Sequence, residues 1–274
     1  MKRISLVVVF VMLIAAFPGS TLMQPKADDQ LRQYNEPPSR LRGMIEKYGQ
    51  DQGILSRYFS AQTSPNRAAR FRQLYREYLD SLERMDFPAL THDEQIDYLL
   101  FRNFLHHELA ELTRSEDQLL EMAPLIPFAK TITDLEDTRR KLEFADPAKT
   151  ATLLDALGKQ ILATQKSFEA PNAIKPKRTV ANRAARTVDG LRRTLRGWYT
   201  FYNSYDPVFT WWNESPYKAT DDALGKYATF ITEKLVGIKS DDRTTIIGDP
   251  IGPAAIIDQL RLKMIPYAPG VLPP

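Results

Sequence analysis

Residues 91–121 read THDEQIDYLLFRNFLHHELAELTRSEDQLLE. Thr91 and Glu94 stand three apart at its head, the spacing of a capping box, in which a hydroxyl and a carboxylate satisfy the free N–H groups of a first helical turn. Ile96, Leu99, Leu100, Phe104, Leu112 and Leu119 recur at intervals of three to four, which predicts one long helix to about Glu121 with those side chains as its buried face. Outward from it the punctuation is helical as well. Ser64-Pro65, Asp146-Pro147 and Asp249-Pro250 each set a capping side chain before a proline at the first helical position, where the missing N–H costs nothing. Val180, Ala184, Val188, Leu191, Leu195, Trp198 or Tyr199, and Tyr202 trace a second stripe, and Leu224, Tyr227, Phe230, Ile231 and Leu235 a third. Only Thr244 to Ile247 has a β-like composition. The expected class is mostly α, a multi-helix array.

The N-terminus speaks to compartment. Lys2 and Arg3 precede an apolar run, Ile4 to Phe17, interrupted only by Ser5, and Pro18-Gly19-Ser20 follows. The pattern is that of a cleaved signal peptide over 1–23, and the run falls short of the roughly twenty residues that cross a bilayer. The remaining 24–274 are expected to be periplasmic or secreted, with no membrane partner after cleavage. Losing Lys2 and Arg3 lowers the formal charge from +3 to +1, too little basic excess for a nucleic-acid binder. The chain has no cysteine, which excludes disulfides, zinc–thiolate sites and cysteine nucleophiles. Pro171 to Lys177 is the one candidate hinge.

Residues 198–217, WYTFYNSYDPVFTWWNESPY, place nine aromatic side chains in twenty positions. Rings at this density build either a core or the wall of a cleft, and both readings stand. Asp206-Pro207 must interrupt the helix. The candidate cleft or substrate contacts are Tyr205, Asp206, Trp211, Trp212 and Tyr217. No His-Glu-x-x-His, phosphate loop or Gly-x-Ser-x-Gly elbow accompanies them, so no catalytic residue is assigned.

Three other groupings have a plain explanation. His107-Glu108-Leu109-Ala110-Glu111 resembles a zincin motif with Glu for the second His, but no third ligand is visible, and a solvated helix face is expected. Lys175, Lys177, Arg178, Arg183, Arg186, Arg192, Arg193 and Arg196 face only Asp189 in sequence. They could grip an anionic partner through an Arg fork, although the outward side of an amphipathic helix accounts for them. Gly248-Asp249-Pro250-Ile251-Gly252 reads as a helix cap.

The blocks DYLLFRNFLHHELAEL (97–112), EMAPLIPFAK (121–130), YDPVFTWW (205–212), KLVGIKSDDRTTIIGDPIG (234–252) and MIPY (264–267) resemble the N-terminal half of the bacterial family called domain of unknown function 885. The resemblance implies an α-helical, secreted, zinc-metallopeptidase-like protein. In longer members the His-Glu-x-x-Pro-Gly-His motif lies downstream of the Ile-Pro-Tyr block, and this sequence has no Pro-Gly-His. No metal ligand is therefore carried over, and zinc is expected only in full-length relatives. The implied identity is a truncated N-terminal portion, incomplete relative to those relatives and without activity of its own. The alternative is a stand-alone helical module that binds peptides or proteins in the periplasm. On the first reading the apolar faces of 178–203, 218–236 and 250–266 await a missing C-terminal half, and the chain is expected to associate or aggregate.

Overall fold

The computed structural model describes residues 39–203, 205–239, 242 and 244–266; the leader read in 1–23 lies outside them. Among the described residues there are eight α-helices and no strand. They are α1 (Arg40–Tyr58), α2 (Pro65–Glu83), α3 (His92–Met122), α4 (Ala129–Arg140), α5 (Pro147–Glu169), α6 (Arg178–Asn203), α7 (Pro207–Phe230) and α8 (Pro253–Leu262). Short 3₁₀ turns at Phe87–Ala89 and Ala123–Leu125 flank α3, and a π-helical turn, Ile231–Val236, closes α7. Ser64 and Asp146 cap α2 and α5, each accepting from a backbone N–H with proline at the start of the helix. The β-like run 244–247 is a loop in which Asp242 accepts from the N–H groups of Thr244 and Thr245.

Two apolar clusters form. The N-terminal core gathers Leu41, Tyr48, Phe71, Leu74, Leu82, Phe101 and Leu105 from α1, α2 and the first half of α3. The C-terminal core is built from the end of α3 through the π turn, around Phe128, Leu157, Leu191, Trp198, Phe209 and Tyr227. The division between them falls within α3, whereas 171–177 joins α5 and α6, two helices of one core.

The capping box forms as read: Thr91 Oγ1 accepts from the Glu94 N–H at 3.3 Å and Glu94 accepts from the Thr91 N–H at 3.0 Å. The buried face of α3 differs from the expected one. Ile96, Leu99, Leu100 and Phe104 are exposed, and Glu94, Tyr98, Phe101 and Leu105 face inward. Both sets satisfy helical periodicity, so composition alone does not choose between adjacent stripes. Glu94 helps decide the rotation, because its carboxylate accepts from Arg40 N, Nε and Nη2 at 2.8, 3.1 and 3.0 Å. That turns residues one turn and two turns further on toward α1 and α2.

Within the C-terminal core α5 and α7 run parallel, since Pro147 meets Asn213 and Leu154 meets Thr220, both through hydrogen bonds to backbone carbonyls. Gly158 permits the approach; a Cβ there would come within 3.3 Å of Thr220 Oγ1. The α6 stripe is buried from Val180 to Tyr199, and Leu224, Tyr227 and Ile231 of the third stripe are fully buried. The faces of 178–203 and 218–236 expected to be uncovered are thus filled by the chain's own helices. Only α8 fits that expectation: none of its residues is buried, and Ile256, Ile257, Met264 and Ile265 are exposed.

Asp249-Pro250 does not start α8. The helix begins at Pro253 behind Gly252, whose φ of +86° is the left-handed region that glycine tolerates. Asp249 is occupied elsewhere, holding Arg183 through Nε and Nη2 at 2.9 and 2.8 Å.

Candidate functional site

The aromatic segment divides along its length. Trp198, Tyr199 and Phe209 are buried, with Trp198 and Phe209 edge to face at 5.5 Å between ring centroids. Tyr217 is half-buried and stacks on Tyr199 at 3.7 Å. Asp206 caps α7, accepting from the N–H groups of Val208 and Phe209. Tyr205, Trp211 and Trp212 stand on the surface, and the two indoles contact each other at 5.1 Å. Trp211 and Trp212 are neighbours, but the five candidate residues do not converge on a cleft. One is a helix cap, one a core stack and three are surface rings.

The basic run reorganises more usefully. Arg178 donates to Val236 O at 2.7 Å, tying α6 to the π turn. Arg183 bridges Asp249 and Glu121, the latter at 2.9 Å. Those two anions keep its guanidinium charged, while Asp249 is held below the usual carboxylate range chiefly by its hydrogen bonds from Arg183. Arg192 forks Asp221 at 2.8 and 2.7 Å, which locks α6 to α7, and Arg196 lies 3.7 Å from the same carboxylate. Arg186 and Arg193 are exposed and form no ion pair among the described residues.

These last two line a cleft of about 520 Å³ where the two cores meet. Its walls come from the α1–α2 loop (Ser60, Gln62, Thr63), from α4 (Glu136, Arg139, Arg140) and from the outward face of α6 between Arg183 and Gly197. The floor is polar and ordered. Glu136, almost wholly buried, accepts from Ser60 Oγ at 2.9 Å, from Arg139 at 2.8 and 2.6 Å and from Arg140 at 2.8 Å. Burial alone would raise its carboxyl, but the hydrogen bonds from Arg139, Arg140 and Ser60 outweigh that and keep it ionised. Beside it Asp137 accepts from Ser64 Oγ at 2.8 Å and Asn66 Nδ2 at 2.7 Å.

Five arginines therefore surround this cleft with Glu136 as its only acidic lining residue. Arg139 and Arg140 share that one carboxylate, while Arg186 and Arg193 have donors to spare. A guanidinium presents a planar fork suited to carboxylate or phosphate oxygens. The arrangement can bind and orient an anionic group. Arg183, Arg186 and Arg193 read in sequence as part of a solvated helix face, because the opposing wall comes from positions roughly forty to a hundred and thirty residues earlier. The available signal was the near absence of acid along 175–196.

No group of three or more His, Cys, Asp or Glu among the described residues could hold an ion. Glu111, the second member of the zincin-like pair, is engaged by Arg114 and by Gln259. No helix among the described residues is long and apolar enough to cross a membrane. No protein-family model matches the chain, and no curated protein or solved structure matches it.

Proposed function

We propose that residues 39–266 form a helical binding module, acting in the periplasm or outside the cell, that holds an acidic peptide at the cleft between its two cores. The observation that carries this is the pair Arg186 and Arg193, unpaired among the described residues, on the wall of a cleft with a single, already shared carboxylate. A peptide's carboxylates match the guanidinium fork, and Ser60, Gln62 and Thr63 add hydroxyl and amide partners for its backbone. Isothermal titration with a short oligoglutamate, beside an uncharged oligoglutamine of equal length, tests it. Saturable, salt-sensitive binding of the first alone is expected, with a loss of about tenfold or more in Arg186→Ala/Arg193→Ala. Equal binding of both peptides, or an unaffected double variant, overturns it.

A second reading is favoured by α8. Its exposed Ile256 and Ile257, continued by Met264 and Ile265, leave an apolar strip over α3 without cover among the described residues. That suits the N-terminal portion of a larger metallopeptidase-like protein, as the family resemblance implies. On that reading zinc would be held outside the described residues, among which no three or more His, Cys, Asp or Glu lie together. Adding the C-terminal fragment of a longer relative should protect 250–266 from proteolysis; unchanged digestion retires this reading.

A further inference from the structure

The end of the C-terminal core where α4 and α6 finish and α5 and α7 begin carries an unusual surface. Two loops lie together there, tied by Tyr202 Oη donating to Glu143 O at 3.4 Å and by Asn213 Nδ2 donating to Pro147 O at 3.1 Å. On the first loop Leu142 and Phe144 are 79% and 80% exposed; on the second Tyr205 is 88% exposed, and on the first turns of α7 behind it Val208, Trp211 and Trp212 are 58%, 76% and 43% exposed. Six exposed large side chains, on two adjoining loops and the start of α7, exceed the single exposed apolar residues that any surface carries. None of them lines the arginine cleft or the groove beside it.

That groove runs from this end along α6. It is lined by Arg139, Arg193, Arg196, Gly197, Thr200 and Phe201, with no acidic residue, and the Arg139 guanidinium lies 5.1 Å from the centre of the Phe201 ring. The acids near the loops are already engaged: Asp146 and Asp206 cap α5 and α7, and Glu143 lies 3.8 Å from Lys141. Exposed indole, phenol and leucine side chains next to a guanidinium groove are the chemistry of the bilayer interface, where amphipathic rings sit at headgroup depth and arginines meet phosphate. The groove's guanidinium groups, with no acid among its lining, are complementary in charge to an anionic headgroup layer, and exposed indoles are suited to its depth. We infer that this end of the molecule is a peripheral docking surface for a phospholipid bilayer, with Trp211, Trp212, Phe144 and Leu142 entering the interface and Arg193 and Arg196 held at phosphate level. This surface runs against the expectation that 24–274 has no membrane partner after leader cleavage, although it spans nothing.

Tryptophan emission reads the surface directly, because Trp198 is buried and only Trp211 and Trp212 face outward. The full chain is mixed with unilamellar vesicles of phosphatidylcholine, with and without phosphatidylglycerol. The emission should shift to shorter wavelength, become quenchable by lipid carrying bromine high on its acyl chains, and respond more strongly when phosphatidylglycerol is present. Trp211→Ala/Trp212→Ala, compared by vesicle co-sedimentation so that any contribution of residues 1–23 cancels, should lower partitioning about tenfold or more. It should leave the helical circular dichroism and oligoglutamate binding unchanged. Unshifted parent emission with both vesicle types overturns the inference, as does equal partitioning of parent and variant, which would leave the two loops to a protein partner.

Discussion

Trp211 and Trp198 are the same residue type thirteen positions apart with opposite environments. Trp198 packs against Phe209 and Tyr202 with almost no exposed surface, whereas Trp211 touches chiefly Trp212. Trp198→Ala or Phe209→Ala should therefore cost about 3–5 kcal/mol, by lost transfer energy and a cavity that rigid neighbours cannot fill. Trp211→Ala should stay within about 1 kcal/mol of the parent. Urea titration of the three variants decides it, and a large loss in Trp211→Ala would return that ring to the core. The stretch 198–217 was readable as aromatic but not as divided, because Asp206-Pro207 restarts the helix and resets its phase. The α6 stripe fixes Trp198 and Tyr199 as inward; beyond the break, only the register of α7 on α5 decides which rings follow. Asp249 shows a similar limit. An Asp-Pro pair is a cap by local chemistry, but an arginine sixty-six residues away claimed the carboxylate.

At the scale of elements, the start of α3 is where stability should depend on acid. Glu94 accepts hydrogen bonds from the Arg40 side chain, the Arg40 N–H and the Thr91 N–H, and these hold its carboxyl down from 4.5 to about 2. A carboxyl with a folded value below its unfolded one binds fewer protons in the folded chain. Its contribution is complete above about pH 4.5, fades as pH falls through the interval and is gone below about 2. Glu94→Gln should be less stable than the parent at neutral pH and should lose part of the decline between those limits. Thermal melts at a series of pH values check this; parallel pH curves for parent and variant would remove Glu94 from the contact with α1. The capping box itself was fully legible, since Thr91 and Glu94 are three residues apart. Arg40, fifty-four residues earlier, was not, and it helps set which side of α3 turns inward. Without that partner, helical periodicity alone points to Ile96, Leu99, Leu100 and Phe104 as the buried stripe.

For the whole molecule, the joint between the cores is polar. Asp137 receives Ser64 and Asn66, Glu136 receives Ser60, and the same seam floors the arginine cleft. Asp137→Ala would leave the buried Ser64 hydroxyl without this acceptor and should cost about 1–3 kcal/mol. All three tryptophans lie in the C-terminal part, at 198, 211 and 212, and Trp198 is buried in its core, so in a Trp211→Phe/Trp212→Phe background the emission follows that core while far-ultraviolet circular dichroism follows both. The two midpoints should coincide in the parent and separate in Asp137→Ala. Coincident midpoints in the variant would show that the seam does not couple the cores. The predominantly helical class was clear from periodicity and caps, whereas the seam joins α1–α2 loop and α4 residues some seventy positions apart that no local pattern pairs.

One helix belongs to both halves, and that makes α3 a ruler. Its 31 residues span about 46 Å at about 1.5 Å per residue. Spin labels on Asp93 and Asp117, both on the exposed side, should sit about 36 Å apart along the axis. A free hinge would let the halves swing while that distance stayed sharp only by accident of direction. A continuous strut permits only bending, so any widening of the cleft should register as a shortened or broadened label distance, and the spread of that single distance measures how stiffly the cleft is held.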